Sequence, residues 1–426
     1  GLQSEVVQII SKEVFNLINE KALKKVNNDI YEIIKAQLKS EAYTDVDAYT
    51  DICDLVDIIV LLADTGLLAS QTEYATWDFD KLEDVIHALM NLKVFAGKSE
   101  DVAKAFINMV PAIKDNFDDT MVITDWEVEL VSIIRALEAL VNCGMTSVDS
   151  IDVYTLTGAT VAKVLESTIL RNVFVTEFNK QLTALDVNYT VTDAEVVAVG
   201  TADNWDKELS AITKLKDLMN ALDESNPDYG DLVDNYNYAR TQTTLISNII
   251  EAVAEDIVKD LPVASDYYDA SMDTELAAKG WANELDSIVA AIEALDNAGI
   301  TDFSNPADNL NGTVIDAICD SIILKNGLVE ALNTALTDAG FNDYTVTVAD
   351  IDLVTNWDNE LEAINKIDAM KAETEKSSPD YGVIVENYEY ARNNTVLIKK
   401  IVGQSAETLI PDLPVVDTYY NASMNA

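Results

Sequence analysis

Carboxylates are the only acid–base groups this chain holds in quantity. Two of them suffice for general acid–base chemistry or for cleaving a glycosidic bond. Pairs such as Asp118-Asp119 and Glu83-Asp84 recur throughout, but among 75 acidic residues they are what a solvated surface carries by chance. A working pair also needs a cleft that raises one pKa, and no stretch of sequence marks one. His87 is the single histidine, and Cys53, Cys143 and Cys319 stand far apart. No CxxC or Cys/His cluster accompanies them, which sets aside zinc ribbons, Ser-His-Asp triads and Cys-His dyads. Each cysteine reads as a small buried hydrophobe. Neither GxGxxG nor GxxxxGK[ST] occurs, so phosphate loops are absent. Calcium is the one cation with ligands to hand, in the spaced acids of Asp149–Tyr154 and Asp223–Asp231. Neither fits an EF-hand, and solvated acidic loops are the default. No catalytic, cofactor-binding or metal-ligating residue is assigned, no cofactor is expected, and the chain reads as a non-enzyme.

Charge narrows the partners. Against the 75 acids stand 28 basic residues, for a formal net charge of −47 over 426 residues. Such a surface repels phosphate backbones and anionic headgroups, so nucleic acid is discounted. No run reaches the ~18 apolar residues of a membrane span. The nearest, Leu55–Ala69, is broken by Asp57 and Asp64, so no membrane insertion is expected of this segment.

The most distinctive side chains are tyrosines. "PDYGDLVDNYNYAR" (Pro227–Arg240) returns as "PDYGVIVENYEYAR" (Pro379–Arg392), 152 residues on. Pro-Asp-Tyr-Gly reads as a turn that feeds a helix. Tyr229, Tyr236, Tyr238 and Arg240, with Tyr381, Tyr388, Tyr390 and Arg392, form the candidate site. Each arginine is placed to pair with a carboxylate or to stack on a ring. Tyr rings suit a sugar or a peptide, but here the surrounding sequence repeats as well, so the segment reads as a joint between repeated units.

Tryptophan marks those units. Trp126, Trp205, Trp281 and Trp357 are spaced by 79, 76 and 76 residues, and each opens Trp-x-x-Glu-Leu. Apolar residues follow at helical spacing, as in Leu285, Ile288, Ile292 and Leu295. Thr124-Asp125, Asp203-Asn204 and Thr355-Asn356 precede three of the tryptophans as expected N-caps. The four Trp side chains are expected to anchor the core of each unit. The unit from Trp205 matches that from Trp357, and the unit from Trp126 matches that from Trp281. The expected organisation is a partial unit at 1–48 and a diverged unit at 49–125. Units 126–204 and 281–356 then form one type, and units 205–280 and 357–426 the other. Trp77 falls out of register. Both ends read as cuts within a longer array. Second helices are expected at Tyr236–Asp256 and Thr313–Thr337, with very short strands at most at Asn188–Thr192 and Asp343–Val348.

The fold class is all-α: units of about 76 residues paired into blocks of about 152, stacked as an elongated rod or solenoid. With its tandem duplication, strong acidity and scarce cysteine, the chain resembles over its whole length the tandem helical-repeat surface proteins of low-GC Gram-positive bacteria. The resemblance implies an extracellular, cell-surface place and nothing about catalysis. The expected function is a structural segment of a longer surface protein, as stalk, adhesin or envelope scaffold. Its partners would be neighbouring units or other copies of itself, and a host protein or glycan. Two alternatives stand beside it: an (α/α)-toroid acting on polysaccharide, and a solenoid that binds a protein or glycan.

Overall fold

The computed structural model describes residues 46–145, 153–222, 229–300, 310–338, 344–374 and 376–404. Helices follow one another along all of them, and no strand occurs among the described residues. No described helix is long and apolar enough to cross a membrane. The two calcium candidates fall largely outside the described residues, as does Pro227-Asp228.

The chain divides into two compact units, Gly1–Lys214 with Ala239–Ser247, and Leu215–Tyr238 with Asn248–Ala426. In the first, the helix Trp126–Asn142 is central. The helices Phe79–Asn91, Ser99–Ile107, Gly158–Glu166 and Thr168–Ala184 pack against it. Leu130, Ile133, Ile134, Leu137 and Leu140 are buried there, the i, i+3, i+4 spacing of a helix covered on more than one side. In the second, the helix Trp281–Asn297 packs on Ala254–Asp260, Asp273–Lys279 and Gly312–Asp320. The helix Trp357–Thr374 packs on Tyr381–Asn394, Leu397–Gln404 and Gly312–Asp320.

Several expected elements differ from those observed. The stretch Thr313–Thr337 is two helices, Gly312–Asp320 and Ile322–Asp338, broken at Ser321. Tyr236–Asp256 spans parts of three: Tyr229–Gln242, Leu245–Ala252 and Ala254–Asp260. Tyr381 and Gly382 do not form a turn but open the helix Tyr381–Asn394, capped by Asp380, which accepts from the Gly382 and Val383 amides. Asp203 and Asn204 lie inside the helix Ala202–Leu222 rather than before it. Asp125 does cap the Trp126 helix, and Asn356 accepts from the Asn359 amide at 3.1 Å.

Neither expected strand forms among the described residues, and Val348 instead opens the short helix Val348–Ile351. Asn179 takes a strand partner's role at one: its side chain donates to the Val191 carbonyl at 3.0 Å and accepts the Val191 amide at 2.7 Å. Asn333 does the same for Val346, at 2.9 and 2.7 Å. One amide side chain satisfies both backbone groups that a ladder would have paired. Trp77, the tryptophan out of register, is buried edge-on against Tyr74 and donates to the Ser70 carbonyl at 2.7 Å.

Candidate functional site

The glutamate of each Trp-x-x-Glu-Leu stands one turn after its tryptophan, on the apolar face. All four are buried: Glu129, Glu208, Glu284 and Glu360 are 4%, 1%, 0% and 2% exposed. A buried carboxylate needs donors, and the start of another helix supplies them, because its first amides have no partner within that helix. Glu208 accepts from the amides of Thr244, Leu245 and Ile246 at 2.6, 2.9 and 3.0 Å. Glu360 accepts from Val396, Leu397 and Ile398 at 2.6, 3.1 and 2.9 Å. Glu129 accepts from the Thr168 and Ile169 amides and from the Ser167 hydroxyl, the last at 2.7 Å. Glu284 repeats this with Ile322, Ile323 and Ser321, and Lys279 adds an ion pair at 2.7 Å. Negative charge at a helix N-terminus is favourable and the bonds are charge-assisted. The breaks at Ser321 and at Thr243-Thr244 are where these carboxylates enter.

The tryptophans divide as the two types of unit do in sequence. Trp205 and Trp357 are buried, whereas Trp126 and Trp281 are half-buried. Trp205 meets Phe174 edge-on at 5.4 Å, and its indole N–H has no hydrogen-bond partner among the described residues. Trp126 packs on Phe117, and Trp281 on Tyr268 with the Lys259 ammonium 5.0 Å from its ring. Asp206 and Asp358, each next to a buried Trp, accept the amides of Gly158 and Gly312 at 2.5 and 2.7 Å.

The two tyrosine segments share a sequence but not an environment. Tyr236 is 2% exposed and donates to Asp286 on the Trp281 helix at 2.6 Å. Its counterpart Tyr388 is 41% exposed. Tyr229 is half-buried, and burial pushes its phenol pKa up, whereas Tyr381 is exposed. Tyr238 and Tyr390 are both half-buried; Tyr390 donates to Glu362 at 2.6 Å with Lys366 over its ring. Arg240 donates to the Ser247 hydroxyl at 3.1 Å, while Arg392 is exposed. Tyr236→Phe is therefore expected to cost about 1–2 kcal/mol, since it strips a charged acceptor of a buried donor. Tyr388→Phe is expected to change stability by less than about 0.5 kcal/mol. Urea titrations of the two variants make the comparison.

The single histidine lies in an open groove lined also by Asp125, Glu127, Arg135 and Glu166. His87, on the helix Phe79–Asn91, reaches Glu127 on the Trp126 helix at 2.7 Å through Nδ1 and Glu83 at 3.5 Å through Nε2. Arg135 holds Glu83 with two bonds, at 2.5 and 3.1 Å. The Glu127 carboxylate, and then Glu83, raises the His87 pKa. An imidazolium held by two carboxylates ties two helices and is a poor base. Because the folded value lies above the unfolded one, its stabilisation is complete below about pH 6.5 and is lost as pH rises through the folded value. His87→Gln is expected to cost at most about 1 kcal/mol at pH 5.5, given its exposure, and nothing at pH 9. Thermal unfolding of both proteins at the two pH values tests this.

Cys143 and Cys319 are half-buried and free, and burial pushes the Cys319 thiol up to about 11. It is a thiol rather than a thiolate near neutral pH. No group of three or more metal-ligating side chains occurs among the described residues. Among the described residues the buried glutamates are thus the most built polar feature, and what they do is hold one helix to the start of another. No family model, curated protein or solved structure matches the chain.

Proposed function

We propose that this chain is a non-enzymatic structural segment of stacked helical units, serving as stalk, adhesin or envelope scaffold at a bacterial cell surface. One observation carries the reading. The same buried glutamate meets the same kind of helix start at Glu129, Glu208, Glu284 and Glu360, so the deepest carboxylates are engaged by backbone amides rather than left to a substrate. Sites that bind the chain to itself at a regular spacing suit an array that is lengthened by adding units. The units are those opened by Trp126, Trp205, Trp281 and Trp357, stacked as a rod or solenoid. Strong acidity, with a net charge of −47, suits a solvated surface protein.

Small-angle X-ray scattering of the whole chain, with and without calcium, tests the reading. A compact particle of 426 residues has a radius of gyration of about 22 Å. A value well above this, with a long maximum dimension at every concentration, supports the rod. A value near it overturns the rod and points to a closed toroid.

A further inference from the structure

Three residues on the helix Tyr381–Asn394 form an exposed apolar stripe at i, i+4 and i+7: Tyr381, Val385 and Tyr388, at 46%, 54% and 41% exposure. Isolated exposed apolar residues are ordinary; a stripe at helical spacing is not. The same stripe 152 residues earlier is covered. Val233 is 6% exposed, Tyr236 is 2% exposed, and Tyr229 is half-buried. There the Tyr236 hydroxyl donates to Asp286, the fifth residue after Trp281. A tyrosine-less version of the arrangement occurs in the first compact unit. The helix Phe79–Asn91 lies on the Trp126 helix, tied by Glu83 to Arg135 and by His87 to Glu127. In both places the helix with the stripe, or its equivalent, is met by the next Trp-x-x-Glu-Leu helix.

We propose that Tyr381, Val385 and Tyr388 are the seat for a further helix of the Trp281–Asn297 class, supplied by another unit of this kind. The occupant is amphipathic, opens Trp-x-x-Glu-Leu, and carries a carboxylate five residues after its tryptophan to accept the Tyr388 hydroxyl. The proposal rests on the reading of the chain as stacked units, and names what binds on the exposed face of the helix Tyr381–Asn394. The pairing is selective because the seat offers one donor in an apolar stripe. A helix lacking the carboxylate leaves that donor buried without an acceptor.

The test titrates a fluorescent, stapled peptide of residues 281–297, its helicity checked by circular dichroism, onto the intact chain. Saturable one-to-one binding is expected. Val385→Glu in the chain should weaken it about tenfold or more, by placing a charge in the seat. Position 385 is exposed, so that variant should fold as the parent does. Tyr388→Phe in the chain and Asp286→Asn in the peptide should each weaken binding, and together no more than either alone. Absence of saturable binding, or binding indifferent to Val385→Glu, overturns the proposal. So does self-association of the chain that Val385→Glu abolishes while the peptide does not bind, because the occupant is then a like face of a second copy. Scattering separates this outcome from the functional reading. A compact particle that still binds the peptide sinks the rod and keeps the seat, and a long particle that ignores the peptide does the reverse.

Discussion

Glu208→Ala is expected to cost about 4 kcal/mol, and Glu208→Gln about half of that. The side chain is 1% exposed and accepts three amides from the start of the helix Leu245–Ala252. Removing it strands the buried Leu245 and Ile246 amides, where a missing acceptor costs roughly 1–3 kcal/mol each. The Thr244 amide is only partly buried, so water can recover some of its loss. Glutamine keeps a carbonyl oxygen for two of the amides. It loses the charge that strengthens the bonds and complements the helix terminus, and turns an amino group toward a donor. Urea unfolding followed by far-ultraviolet circular dichroism reads both values. An alanine variant within about 1 kcal/mol of the parent would mean that the buried charge costs as much as its bonds return.

Gly158→Ala is expected to cost about 3 kcal/mol or more, with no special backbone angle to blame. A Cβ at Gly158 would lie 2.0 Å from the Ala202 carbonyl oxygen and 2.7 Å from the Asp206 amide nitrogen, both backbone atoms. The helix Gly158–Glu166 must move away, and with it goes the bond from the Gly158 amide to Asp206. Gly312→Ala should cost less, because its Cβ would meet the Asp358 carboxylate, which can rotate. Gly97→Ala sets the contrast: φ is +74° with nothing within 4 Å, so only the left-handed strain of about 1–2 kcal/mol applies. Thermal and urea midpoints of the three variants should fall in the order Gly97, Gly312, Gly158, the last lowest. Equal losses would mean that close approach is not what selects glycine at 158.

Helical periodicity was enough to find that the chain is all-α. Leu285, Ile288, Ile292 and Leu295 share a face by spacing, and all are buried. What the sequence hid was long-range. The local signals at the breaks are short, the Ser321 hydroxyl accepting the Leu324 amide and the Thr243 hydroxyl the Ser247 amide, whereas the carboxylate that meets each new helix start lies 36–38 residues back in the chain. The clue was present in Trp-x-x-Glu-Leu itself: Glu at i+3 shares the buried face of Trp at i, and a charge recurring on an apolar face needs a fixed donor. The β-branched residues around Val191 and Val346 pointed to strands, but Asn179 and Asn333 supply the pairing from a helix. Asp-Tyr-Gly read as a turn because Gly and Asp favour turns, whereas an aspartate just before a helix is also an N-cap. The different exposure of Tyr236 and Tyr388 is beyond local sequence, since their flanking residues are nearly the same.

The glutamate bonds also set how the chain should open. Each closes a loop of 36–40 residues, so the entropy of forming each loop is nearly equal, and none waits on distant parts of the chain. Deuterium exchange at the Ile169, Leu245, Ile323 and Leu397 amides, one behind each carboxylate, then serves as four separate gauges. Each amide exchanges when its own bond is released, whether or not the other three hold. Four different protection factors would describe a chain that yields stepwise along its length, giving way at its weakest link while the rest stays folded.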